Sequence, residues 1–163
     1  MSYSFKSFFL LFVYMKEKKK VFLGSDHAAY SHKQAIIKHL NKDVFVIEDL
    51  GPHNEDSCDY PDYAKKVAEA VVKENCLGIL ICGTGIGMSM AANKVRGARA
   101  ALCCNEYMAK MAREHNNANV LCLGARVISE EEAIKISDKF LKTDFSGDER
   151  HSRRVCKIMK IEE

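Results

Sequence analysis

The segment Cys82-Gly83-Thr84-Gly85-Ile86-Gly87 concentrates more potential chemistry than any other stretch of the sequence. Three alternating glycines, placed after an apolar run and before an amphipathic one, let the backbone bend until several N–H groups converge on one point. Such a concavity suits an anion. Cys82 stands against those donors. A thiol beside a helix N-terminus ionises more readily than a free thiol of pKa about 8.5, and it can then act as nucleophile or base. The alternatives are a buried hydrophobic cysteine and a tight turn without a ligand. Gly83-Thr84-Gly85 also opens like a dinucleotide fingerprint, with Glu106 after the next strand. However, the third glycine comes one residue early, and a whole βαβα unit precedes the motif. A P-loop is excluded because no Gly-Lys-Ser/Thr occurs.

Other candidates lie at the ends of apolar runs. Gly24-Ser25-Asp26-His27 sets an acid beside an imidazole, either for chemistry or as a helix N-cap followed by an exposed histidine. His115, in Glu114-His115-Asn116-Asn117, opens a polar loop. Arg150 and Arg154 are four apart and share one helix face, with Arg126 as a third guanidinium; arginine forks match phosphate geometry, although a solvated basic face would read the same way. The Cys103-Cys104 pair is expected in the core, and Met88, Met90, Met108 and Met111 are expected as packing residues.

Something must hold these residues in register. Short apolar runs at Val21–Leu23, Val44–Ile47, Leu77–Cys82, Ala98–Cys103 and Val120–Leu123 read as strands. Between them, Ser31–Leu40, Tyr60–Glu74, Ile86–Lys94, Glu106–Glu114 and Ser129–Leu141 read as helices, with Ser129 and Glu132 forming a capping box. This βα repeat implies an α/β fold with a parallel sheet covered on both faces, where ligands bind at the carboxyl ends of the strands. Polar loops occupy Gly51–Asp59 and Asn116–Asn119. A basic segment, Glu149–Ile161, follows Ser146-Gly147-Asp148 and returns to no strand, a pattern that suits packing on a neighbouring subunit.

The 163 residues make one domain of ordinary size; 47% are hydrophobic and 29% charged, which excludes disordered and multi-span membrane classes. A net charge of +3 is too small to argue for nucleic acid. Seven cysteines without Cys-x-x-Cys pairs favour neither a disulfide framework nor a zinc ribbon, and a reducing cytoplasm is expected. Phe8 to Met15 is an apolar run followed by lysines, the reverse of a signal peptide and too short to span a bilayer. Residues 1–14 are therefore expected to be a dispensable extension, with Met15 a plausible alternative start and 15–163 the functional domain.

Taken together and in order, Gly24-Ser25-Asp26-His27, Asp59-Tyr60-Pro61, Ile81 to Gly87, Ala91-Ala92-Asn93-Lys94, His115-Asn116, Gly124-Ala125-Arg126 and Arg150-His151-Ser152-Arg153-Arg154-Val155 resemble the type B ribose-5-phosphate isomerases, a family that also contains galactose-6-phosphate isomerase subunits. The resemblance runs from about Lys20 to Ile161. It implies a three-layer α/β/α sandwich on a five-stranded parallel, Rossmann-like sheet with an extra C-terminal helix. It also implies a metal-free aldose–ketose isomerase without a cofactor, interconverting ribose 5-phosphate and ribulose 5-phosphate through an enediolate. Homodimers or tetramers, with sites at the subunit interface, are expected. By position, Cys82 would be the base moving the proton between C2 and C1, assisted by Thr84. His115 with Asp26 would open the furanose ring. His27, Arg126, Arg150 and Arg154 would hold phosphate, and Tyr60 and Asn116 would contact hydroxyls. The backbone at Gly83, Gly85, Ile86 and Gly87 would line the anion site. Some members use a glutamate at the position of Met88, so this chain resembles the cysteine group. A six-carbon sugar-phosphate isomerase, for allose 6-phosphate or galactose 6-phosphate, is the alternative substrate reading. A non-catalytic sugar-phosphate or nucleotide-binding module is the alternative class.

Overall fold

The computed structural model describes residues 18–40 and 42–162; the expected extension at 1–14 lies outside them. Five strands, β1 (Lys19–Ser25), β2 (Phe45–Asp49), β3 (Leu77–Cys82), β4 (Ala100–Leu102) and β5 (Val120–Gly124), pair in parallel in the order β2-β1-β3-β5-β4. Six α-helices join or follow them among the described residues: α1 (Tyr30–His39), α2 (Tyr60–Glu74), α3 (Ile86–Ala92), α4 (Glu106–Glu114), α5 (Glu130–Lys142) and α6 (Glu149–Met159). The period-2 alternation of strand side chains sorts the core into two faces. Val21, Leu23, Ile79, Ile81, Leu121 and Leu123 meet Ile36, Ala109, Ile136 and Phe140 of α1, α4 and α5 on one side. Phe22, Leu80, Val120 and Cys122 meet Ala64, Val67, Val71, Met88 and Ala92 of α2 and α3 on the other. The result is the three-layer α/β/α sandwich that the resemblance implies.

Several boundaries differ from the sequence expectation. The fourth strand shrinks from Ala98–Cys103 to three residues because Ala98 N–H turns back onto the Val95 carbonyl and Arg99 N–H donates to the Asn119 side chain. Helix α3 stops at Ala92 rather than Lys94, since Lys94 and Val95 N–H groups reach only three residues back, to Ala91 and Ala92. Cys104 is exposed while Cys103 is buried, so only one of the pair joins the core. Met90 and Met108 are also exposed rather than packed. The capping box forms as expected: Ser129 accepts from Glu132 N–H, and the Glu132 carboxylate accepts from Ser129 N–H at 2.9 Å.

Helix α6 lies outside both layers. Among its residues only His151 is buried, and its chief packing partner in the chain is the 3-10 turn Lys160–Glu162 that follows it. No helix among the described residues is long and apolar enough to cross a membrane.

The Ser129 cap offers a direct check on this layer. Ser129→Ala should lower unfolding free energy by about 1 kcal/mol without moving the activity, measured by urea denaturation. A midpoint identical to wild type would mean that α5 draws nothing from its cap.

Candidate active site

Strands β1 and β3 are neighbours, and their crossovers leave the sheet in opposite directions, one to β2 and the other past β5 to β4. That is the topological switch point, where a crevice opens beyond the carboxyl ends. The crevice is a cleft of about 540 Å³ lined by Asp26, His27, Ala28, Tyr60, Cys82, Gly83, Thr84, Ile86, Gly87, Met90 and Arg126. Most of the predicted site residues therefore converge, although they come from four separate segments.

Local backbone geometry sets each one. Asp26 follows β1, and its N–H donates to Ile81 O at 3.0 Å, tying the ends of β1 and β3 together. The expected alternative of an N-cap is not realised: Asp26 precedes the 3-10 turn His27–Ala29, but its side chain makes no capping hydrogen bond. It is 8% exposed, and its Oδ1 is buried without a partner among the described residues. Leaving a buried carboxylate oxygen unpaired beside the cleft is costly, so this atom calls for a partner.

Cys82 ends β3. Gly85 N–H donates to its Sγ at 3.1 Å, so the loop turns a backbone donor onto the sulfur and offers negative charge there a partner. Gly85 can do this only at φ 77°. A Cβ there would also lie 2.5 Å from Leu102 Cδ1 and 2.9 Å from the Leu123 backbone. Ile86 N–H reaches Thr84 Oγ1 at 3.4 Å, and the exposed Thr84 hydroxyl stands at the cleft mouth. At Gly87 a Cβ would overlap the Tyr60 ring at about 2.5 Å, so the glycine lets Tyr60, at the first turn of α2, lie across the start of α3. Arg126 is anchored by its N–H to Gly83 O at 2.9 Å, and its side-chain stem passes over Gly83.

His115, Asn116, Arg150 and Arg154 do not join this cleft. Helix α4 ends at Glu114, just before the chain enters β5, so His115 lies at the amino end of the sheet, opposite Cys82. There its ring stacks on His151, with centroids 4.1 Å apart. His151 is 4% exposed, and its Nδ1 pairs with Ser146 Oγ at 2.9 Å. Burial, with the neighbouring His115 and Arg150 charges, holds its imidazole below the ordinary value. Arg99 and Arg113 brace the His115 loop. Arg99 Nε donates to Asn117 O at 2.7 Å, and Arg113 Nη1 donates to Asn117 Oδ1 at 3.3 Å. Sequence reading missed His151 although it sits between Arg150 and Arg154 in a quoted motif. Its burial on an otherwise exposed helix is a tertiary signal.

Two of the other thiols, Cys103 and Cys122, are buried in the core. Burial pushes Cys103 up to about 12 and Cys122 well above its ordinary value, which leaves both protonated and inert.

The family model described as Ribose/Galactose Isomerase matches residues 21–158. The chain belongs to the ribose/galactose isomerase family. Within it, the chain is 50% identical over 145 residues to the probable ribose-5-phosphate isomerase B of Mycoplasma genitalium, covering 87% of this chain and 95% of that protein. It is 43% identical to ribose-5-phosphate isomerase B of Escherichia coli K12, covering 89% and 97%. Among solved structures, ribose-5-phosphate isomerase B from Mycoplasma genitalium with bound ribulose-5-phosphate superposes with a TM-score of 0.84 at 49% identity, over 88% of this chain and 95% of that one.

For this family member the loop conformation is the first thing to perturb. Gly85→Ala should cost about 2 kcal/mol of stability and remove protection of Cys82 from alkylation by inorganic phosphate, because the N–H cradle cannot keep its φ. Thermal melting and mass-spectrometric labelling with and without phosphate would check it. Unchanged protection would show that the cradle binds no anion.

Proposed function

We propose that this chain is an aldose–ketose isomerase interconverting D-ribose 5-phosphate and D-ribulose 5-phosphate through an enediolate. The observation that carries the reading is the juxtaposition, in one cleft, of Cys82 under a backbone donor with the orphaned carboxylate of Asp26. A relative of 49% identity with ribulose-5-phosphate bound in its structure supports the substrate class.

In the proposed reaction the Cys82 thiolate takes the C2 proton of the open aldose and returns it to C1, while the hydroxyl proton of O2 passes to O1 as the carbonyl moves from C1 to C2. No atom or electron is gained or lost overall, so no oxidant is needed. Charge that develops on the enediolate oxygens meets the N–H groups of the glycine loop and the Thr84 hydroxyl, and donors aimed at developing charge supply a large part of such a barrier reduction. Asp26, with His115, opens the furanose ring. Tyr60 and Asn116 contact hydroxyls. His27 and Arg126 on one side, with Arg150 and Arg154 on the other, hold the phosphate, so binding energy at C5 positions C1 and C2.

We propose further that the two halves of this site come from two copies of the chain, in a homodimer or a tetramer of such dimers. Within one copy His115, Asn116, Arg150 and Arg154 belong to the amino end of the sheet. A second copy related by a two-fold axis would bring them to the cleft. The exposed residues of helix α6, with the exposed Ile86, Met90 and Val127 near the cleft, supply surface for that contact. Seven free cysteines suit a reducing cytoplasm.

Cys82→Ala and His115→Ala should each abolish conversion of ribose 5-phosphate. Mixing the two inactive variants under exchange conditions should restore about a quarter of wild-type activity, since about half of random dimers are hybrids with one intact site of two. No recovery, with hybrid formation verified by mass, would place the site in one copy. If wild type converts allose 6-phosphate faster than ribose 5-phosphate, the five-carbon assignment fails.

The two acid–base tasks also separate. Ribulose 5-phosphate cannot close a furanose ring, so its deprotonation precedes any ring chemistry. His115→Ala should therefore still exchange a C1 proton of ribulose 5-phosphate with deuterium, whereas Cys82→Ala should lose exchange and conversion together, as followed by NMR. Equal loss in both would refute the division.

A further inference from the structure

His27 has a proton pattern that its surroundings decide. The backbone N–H of Cys58 donates to His27 Nδ1 at 3.2 Å, and the Cys58 thiol lies 4.0 Å from the same nitrogen. A backbone N–H can only donate, so Nδ1 must accept. A neutral imidazole carries one donor and one acceptor nitrogen, and an imidazolium has no acceptor at all. The contact is therefore compatible with one form of the ring only: neutral, with its proton on Nε2.

The segment supplying that N–H is rooted on a buried lysine. Lys33 of α1 is 0% exposed, and its Nζ donates to Asp49 Oδ1 and to Pro52 O, both at 2.6 Å. Asp49 Oδ1 also accepts from Gly51 N–H at 2.9 Å, and Gly51 O accepts from Ser25 N–H at 3.0 Å. The carboxyl ends of β1 and β2, and the loop that runs from them to Cys58, thus share one charged node. A buried cation held by one carboxylate and one carbonyl is an expensive arrangement where an apolar residue could pack, and it brings geometric specificity to the chain that it grips.

We propose that the loop from Gly51 to Cys58, rooted on Lys33, holds His27 as a neutral Nε2–H donor to the sugar phosphate, so that His27 neither contributes cationic charge nor accepts a proton in the reaction. This rests on the isomerase reading above and refines it. Proton acceptance is then left to Asp26, Cys82 and His115, and positive charge for the phosphate to the arginines. Lys33 acts as a positioning residue.

Long-range 1H–15N spectra of the full-length enzyme, with the His27 resonances assigned by comparison with His27→Gln, read the tautomer without substrate. The expected result at neutral pH is a protonated Nε2 and an unprotonated Nδ1; an Nδ1–H ring, or rapid averaging of the two tautomers, would overturn the proposal. In kinetics with ribose 5-phosphate, His27→Asn moves the remaining donor to the δ position, while His27→Gln keeps one at ε. His27→Asn should therefore raise KM roughly ten-fold more than His27→Gln, the worth of one charge-assisted hydrogen bond. Equal damage from both would sink the donor role.

The root is tested in the paired variant Lys33→Met with Asp49→Asn, which leaves no unpaired buried charge and so keeps the fold where Lys33→Met alone could lose it. Its melting temperature should exceed that of Lys33→Met, yet the His27 tautomers should average and KM should rise by at least about five-fold with a smaller change in kcat. A wild-type tautomer and KM in the paired variant would show that Lys33 only supports the fold. Absence of isomerase activity in the wild-type protein would sink the functional reading while leaving the tautomer result standing.

Discussion

One backbone hydrogen bond sits at the root of the cleft: Asp26 N–H to Ile81 O, the last rung between β1 and β3. It exists because those two strands pair in parallel with Ser25 opposite Ile81. A slip of one residue would turn every side chain to the opposite face and bury the wrong set. The apolar alternation in both strands opposes that slip. Val21 and Leu23 must face α1 and α5 while Phe22 faces α2. Core packing thereby sets the register, and the register sets Asp26 beside the residue that precedes Cys82. The hydrophobic effect itself is non-directional, yet at this point it specifies the relative placement of an acid and a thiol from segments 56 residues apart.

The second constraint is the polarity of a βα repeat. Each helix runs back from the carboxyl end to the amino end of the sheet, so residues after strands and residues after helices lie at opposite poles. Asp26, His27, Thr84 and Arg126 follow strands and Cys82 ends one; His115 and Asn116 follow a helix. No adjustment of loops within one copy reconciles the two sets. On the two-copy reading, the fold's own polarity makes oligomerisation part of the catalytic design. The bracing of the His115 loop by Arg99 and Arg113 then keeps a group destined for another chain in a defined geometry.

The polar nodes around the cleft differ in how they are satisfied. Lys33 and the Cys58 N–H have partners in the chain. Asp26 Oδ1 and Ser25 Oγ have none among the described residues. Buried polar groups are ordinarily paired; on the isomerase reading the unpaired Asp26 Oδ1 beside the cleft is where a ligand hydroxyl would sit, while the paired groups belong to the frame.

The sequence by itself determined the order of elements, the capping box at Ser129, the glycine loop after β3, and membership of a family whose motifs span most of the chain. These are local or strictly ordered signals: periodicity, cap chemistry and short motifs survive without knowledge of what touches what. It overextended β4 and α3, because ends are set by which acceptor wins each terminal N–H, a tertiary contest. Spacing also could not reveal that Asp26 is uncapped, that His151 is the one buried residue of α6, or that Lys33 is buried in a node with Asp49 and Pro52, since a helical lysine reads as solvated until the neighbouring chain closes over it. Most of all, the separation of His115 and the two arginines from Cys82 was illegible in a list of motifs. Sequence order carries no information about which pole of a sheet a residue occupies until the strands are parallel and the crossovers drawn. Only the tertiary structure decides that, through the one-way run of each helix between strand ends.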